Sequence, residues 1–108
     1  MVTRWRRRRA RKLLAGLLPT SEEIALVERL GLGGWWITTD QALYVVKDTR
    51  QPQRVPFIQI RVVQRGQGYL TATIRTTADE HINVAVRRGS AILDRLRKFE
   101  TPPSDQQS

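Results

Sequence analysis

Apolar side chains recur along this chain at two periods, first helical and then alternating. From Trp5 to Leu18 the residues Trp5, Ala10, Leu13, Leu14, Leu17 and Leu18 fall largely at helical spacing, with arginines on the remaining faces, and Pro19 ends the run. Repulsion among the arginines leaves such a helix marginal in water. An anionic surface, or docking of Leu13 to Leu18 on the rest of the chain, has to order it. The stretch from Thr20 to Leu30 reads two ways. Thr20 and Glu23 have capping-box spacing and Gly31 suits a C-terminal cap, which favours a short helix. Ile24, Leu26, Glu28 and Leu30 also alternate with Ala25, Val27 and Arg29, which suits a strand. Local rules leave both open.

Beyond Gly33-Gly34 the pattern is β. Trp35 to Thr39 and Ala42 to Lys47 are rich in aromatic and β-branched residues and flank Asp40-Gln41, the spacing of a tight hairpin. A polar loop runs to Gln53, and Arg54 to Phe57 reads as a short edge strand because Pro56 has no N–H for a central ladder. Ile58, Ile60 and Val62 alternate with Gln59, Arg61 and Val63, and Gln64 to Gly68 makes a glycine-rich turn. Leu70, Ala72 and Ile74, then Ile82, Val84 and Val86 beyond the turn at Ala78-Asp79-Glu80, give two more strands with one apolar face each. The last element is helical, with Ser90 as N-cap and Ile92, Leu93, Leu96 and Phe99 on a stripe that covers the sheet. Thr101-Pro102-Pro103 stops it, and Ser104 to Ser108 reads as a frayed tail. The organisation expected is a basic amphipathic arm over residues 1–18, one domain over 19–100 and a disordered tail over 101–108.

Charge separates the arm from the rest. Of a formal net charge of +9, Arg4, Arg6, Arg7, Arg8, Arg9, Arg11 and Lys12 supply seven positive charges with no acid among them. Such a block attracts polyanions, so an anionic membrane surface or nucleic acid is the expected partner of residues 1–12. The alternative is a solvated tail. The apolar stretch Leu13 to Leu18 is too short for a signal peptide or a membrane span, and the Arg8-Arg9 pair lacks the long apolar region of a twin-arginine signal. An Arg-rich organelle presequence stays as an alternative. The chain is expected to be cytoplasmic, or peripheral to a membrane. Cysteine is absent, which removes disulfides and thiolate metal sites.

No catalytic constellation can be placed. His81 is the only histidine and sits at a predicted turn beside Asp79 and Glu80, with no second member of a triad near it. One histidine without cysteine builds no metal site, and the acids are scattered. Gly31-Leu-Gly-Gly34 lacks the Lys-Ser/Thr of a P-loop, and Gly66-Gln-Gly68 lacks a following helix at the dinucleotide spacing. No metal, no cofactor and no enzymatic activity are therefore expected. Trp35 and Trp36 adjoin on a strand and point to opposite faces, so one belongs to the core. The other is either a partner anchor or a cover for the N-terminal segment. Arg50, Arg54, Arg61, Arg65 and Arg75 spread over loops and strand faces and read as a solvated surface, with a nucleic-acid groove as the alternative.

The segment Gly34-Trp-Trp-Ile-Thr-Thr-Asp-Gln-Ala-Leu-Tyr-Val-Val46 resembles the hairpin of bacterial PH-like domains, and Arg54 to Val63 looks like the family's next pair of strands. Leu70 to Val86 and Ser90 to Phe99 sit where its last hairpin and C-terminal helix stand. The resemblance implies a mainly β (α+β) fold, a two-sheet sandwich or partly open barrel of about seven strands capped by a C-terminal α-helix. It makes Glu23 to Leu30 the first strand. Gln41 departs from the basic residue usual after Thr-Asp, and the loop Gly31 to Gly34, with only Arg29 nearby, does not support a phosphoinositide pocket of the kind eukaryotic PH domains carry. The function it implies is a non-enzymatic interaction module that docks a protein or peptide, with the arm attaching to an anionic surface through its cations. Trp5, Leu13, Leu14, Leu17, Leu18, Trp35 and Trp36 are the candidate membrane or partner contacts. The alternative is a nucleic-acid-binding protein whose arm contacts phosphates.

Overall fold

The structure, a computed structural model, describes residues 3–31, 33–47, 51–66 and 71–100. The polar loop before Gln53, the glycine-rich turn, Leu70 and the expected tail fall partly or wholly outside these residues. Helix α1 (Arg4–Leu13) leads into strands β1 (Ile24–Arg29), β2 (Trp35–Thr39), β3 (Ala42–Val46) and β4 (Gln53–Pro56). A single 3₁₀ turn (Phe57–Gln59) joins them to β5 (Ile60–Arg65), β6 (Thr71–Thr76) and β7 (His81–Ala85), and helix α2 (Ala91–Arg97) closes the order.

Among the described residues the strands form two antiparallel sheets and no closed barrel, with orders β1-β2-β3-β4 and β5-β6-β7. The fold is mainly β, as the residue pattern and the resemblance both predict. Asp40-Gln41 makes the β2–β3 turn, and β4, which carries Pro56, lies at the edge of its sheet. Gly34 sits at φ +89°, and a Cβ there would collide with the Val46 carbonyl oxygen, so the entry to β2 admits only glycine. Gly31 N–H donates to the Ala85 carbonyl at 2.8 Å and draws the end of β1 onto the end of β7.

Residues 24–29 are strand, which resolves the open choice in favour of β. Pairing with β2 decides it, through Val27 opposite Ile37 and Glu28 opposite Trp36. A register shift between Ile24 and Leu26 breaks the simple alternation, so Ile24 and Val27 pack in one cluster and Leu26 in another. The same device corrects the expected face of β5. Its register shifts between Ile60 and Val62, leaving Ile60 and Val63 buried, Val62 half-buried and Ile58 exposed on the 3₁₀ turn.

Two apolar clusters flank the four-stranded sheet. The larger lies between the sheets and under α2, and gathers Trp36, Leu43, Val45, Ile60, Ile74 and Leu96 among others. The smaller lies on the opposite face, where Ala10 and Leu14 of the N-terminal segment pack on Ile24, Val27, Ile37, Tyr44 and Val46. That double cover explains why every residue of β3 is buried. Docking on the domain is therefore what orders the arm, since α1 carries no acid in its first turn and its N-cap Thr3 makes no side-chain bond.

Helix α2 is fastened from β1. Ser90 Oγ accepts from Leu93 N–H at 3.1 Å and donates to Glu28 Oε1 at 2.5 Å, while Glu28 Oε2 accepts from Ala91 N–H at 2.9 Å. Glu28 Oε1 also accepts from Trp36 Nε1 at 3.1 Å, so one carboxylate joins the helix N-terminus to the core tryptophan. Ser90→Ala is expected to cost about 1–2 kcal/mol, the range of a lost N-cap, read as a lower urea midpoint with an unchanged slope.

Candidate cation cleft

Helical geometry sorts the arm's charges onto separate faces. Trp5, Arg8, Arg9 and Lys12 stand three and four residues apart and share one side of α1, whereas Arg7 and Arg11 share another. The first group lines a cleft of about 500 Å³ together with Arg6, and the body of the domain adds Arg29, Trp35 and Arg87. Among the described residues six cations thus converge, and no acid lines the cleft. Arg7 and Arg11 line a second hollow together with Glu22 and Glu23, so that hollow, unlike the first, carries both signs of charge. Arg4 is exposed and lines neither.

Two perpendicular indole rings form the apolar part of the cleft. Trp5 meets Trp35 edge to face, with centroids 6.4 Å apart and an interplanar angle of 83°. The Arg6 guanidinium lies 5.5 Å from the Trp5 centroid and donates to the Val27 carbonyl at 3.4 Å; Arg29 lies 5.6 Å from the Trp35 centroid. Sheet and helix therefore hold this corner in one geometry. No ion pair among the described residues engages Arg8, Arg9, Lys12, Arg29 or Arg87.

Burial divides the expected contact residues. Trp36 is 1% exposed and belongs to the core, donating to Glu28, so Trp35 is the accessible member of the pair. Leu14 is fully buried, and Leu13 and Leu18 pack against the same cluster, so the docked arm does not offer them to a membrane. Trp5 and Leu17 keep 59% and 48% of their surface exposed. The sequence pattern sets Arg29 beside a loop too poor in cations for an anion pocket and gives Arg87 no role; the cations of α1 complete the site around them. Arg29 stands opposite Trp35 in the β1–β2 register, a pairing that only the folded sheet shows.

A second groove of about 690 Å³ runs between the β2–β3 turn, the 3₁₀ turn and the end of α2. Phe57 and Phe99 stack in it at 4.2 Å, Arg95 lies within 6 Å of both ring centroids, and Ile58 is 86% exposed at its rim. Nearby, buried Glu22 accepts from Thr39 Oγ1 at 2.6 Å, from Arg54 Nη2 at 2.9 Å and from the Tyr44 hydroxyl at 3.2 Å. This cluster ties the start of β1 to β2, β3 and β4, and the sequence reading missed it because its members lie up to 32 positions apart.

The other candidates from the sequence stay dispersed. His81 is exposed at the start of β7, and Arg75 pairs with Asp79 at 2.8 Å in the adjoining turn. Among the described residues no group of three His, Asp or Glu gathers to hold a metal, and no helix is long and apolar enough to cross a membrane. The chain matches no protein-family model, no curated protein and no solved structure.

Proposed function

We propose that this chain is a non-enzymatic interaction module of PH-like build that attaches to an anionic partner through the cleft between α1 and the first sheet. The observation that carries this reading is the convergence, among the described residues, of six cations from two parts of the chain around two tryptophans, with no acid among them. Like charges at this density repel one another, and an anion relieves the repulsion. The four-plus-three strand order followed by a C-terminal helix supports the PH-like part of the reading. The stacked-phenylalanine groove supports a separate docking role toward a protein or peptide.

Charge reversal in the body of the domain tests the reading. Arg29→Glu combined with Arg87→Glu leaves the arm untouched and is expected to weaken binding to inorganic polyphosphate at least about tenfold at low salt. The wild-type protein should lose affinity with a log–log salt slope of about −3 to −4, from roughly five displaced counterions. Unchanged affinity in the double variant, with its fold intact by circular dichroism, would assign the attraction to the arm alone and overturn the cleft.

A further inference from the structure

We infer that the ligand of the cation cleft is single-stranded nucleic acid, held by its phosphates on the cleft's arginines and by a base stacked on Trp5. This rests on the anion-attachment reading above and narrows it to one chemistry. Three observations carry it. The first is the interleaving of rings and cations. Trp5 is 59% exposed although it lies among Arg6, Arg8 and Arg9, so a flat apolar face stands within reach of several positive charges. An unpaired base with its phosphate presents the same combination, a flat π-face beside a negative charge, and such stacking tolerates any base. Trp35 fixes the platform. Its edge-to-face contact and the Arg6 bond to Val27 set the Trp5 ring in place before a ligand arrives.

The second observation is the shape of the site. The cleft of about 500 Å³ is open rather than enclosed, as a strand that enters and leaves it requires, and its volume falls within the range of small-ligand sites, on the order of 300–1,000 Å³. A bilayer surface meets a flat or protruding face, and the bases of a duplex are already stacked on one another, so neither fills a cleft lined by indole rings. The third is the fate of the leucines. Leu14 is fully buried and Leu13 and Leu18 pack against the same cluster, which removes most of the apolar wedge that a membrane anchor needs. What stays exposed on the arm is cation, the Trp5 indole and part of one leucine, Leu17.

The test compares three anions on the full chain at low salt: an oligothymidylate of about 15 nucleotides, inorganic polyphosphate and phosphatidylglycerol vesicles. The oligothymidylate is expected to bind tightest and to quench tryptophan fluorescence, while polyphosphate, which carries charge without bases, leaves the fluorescence unchanged. Trp5→Leu, which keeps an apolar contact with Trp35, should weaken the oligothymidylate about tenfold and shift polyphosphate less than about twofold, with Trp5→Phe recovering most of the loss. Equal affinity for oligothymidylate and polyphosphate, with no quenching, would overturn the nucleic-acid inference and leave anion attachment standing. Tighter binding to vesicles would overturn it in favour of a lipid surface. If none of the three binds, both readings fall together. Fluorescence quenching in the wild-type chain decides the matter even if the Trp5 variants fold poorly.

Discussion

Leu14→Ala is expected to lower folding stability by about 2–4 kcal/mol, although the residue lies in a segment that reads as an appendage. Its side chain is fully buried against Ile37, Tyr44 and Val46, and truncation leaves a cavity between α1 and a sheet that cannot collapse onto it. For a domain of this size the loss corresponds to a drop of roughly 10–20 °C in melting temperature. A chain begun at Pro19 should fare worse, because it bares the apolar outer face of β1, β2 and β3 at once and offers a surface for self-association. Thermal unfolding of Leu14→Ala and light scattering of the truncated chain check both statements. A truncated chain that stays monomeric and melts with the full-length protein would show that the arm's docking contributes nothing to stability. The same contact governs how binding experiments are designed. Variants that strip the arm's leucines also damage the domain, so charge or Trp5 variants are the clean probes of the cleft.

The second large effect is expected at Glu22. Its carboxylate has no exposed side-chain surface, and Glu22→Ala would leave the Tyr44 and Thr39 hydroxyls without their partner and Arg54 without its counter-charge. Breaking a fully buried pair costs about 3–5 kcal/mol; Arg54 is 38% exposed and can turn to water, which places the expected loss at about 2–3 kcal/mol. A urea midpoint unchanged from wild type would contradict this account.

The same cluster predicts a loss of stability in alkali. Burial holds the Tyr44 hydroxyl above its ordinary pKa of 10.0, and the Glu22 carboxylate adds to the rise against the opposing pull of Arg54. Because the folded pKa is the higher one, the unfolded chain ionises first. The contribution of Tyr44 is whole below about pH 10 and is lost as the pH climbs through the folded value. Tyr44→Phe should therefore flatten the decline of the unfolding midpoint above about pH 10, whatever it does to stability at neutral pH.

The sequence by itself determined the elements whose signals are local. The two-residue spacing of Asp40-Gln41 between two runs of aromatic and β-branched residues marks a tight hairpin, and Pro56 restricts its strand to an edge. Ser90 before the Ile92, Leu93, Leu96 stripe caps a helix by rules that act within one turn. The division of Trp35 and Trp36 between opposite faces follows from the pleat alone, and the basic face of α1 follows from its charge run. Only the tertiary structure decided the rest. Residues 24–29 obey the strand pairing with β2 and abandon the local helix signal, because a ladder and two apolar neighbours outweigh a capping box. The buried faces of β1 and β5 depend on register shifts that no periodicity encodes. The full burial of β3 was written in its unbroken apolar run, but the run does not say that the second cover is α1. Arg29 and Arg87 entered the cleft for the same reason that Glu22 found Arg54. Residues distant in sequence meet only when the chain closes, and single positions carry no trace of a meeting made by the whole fold.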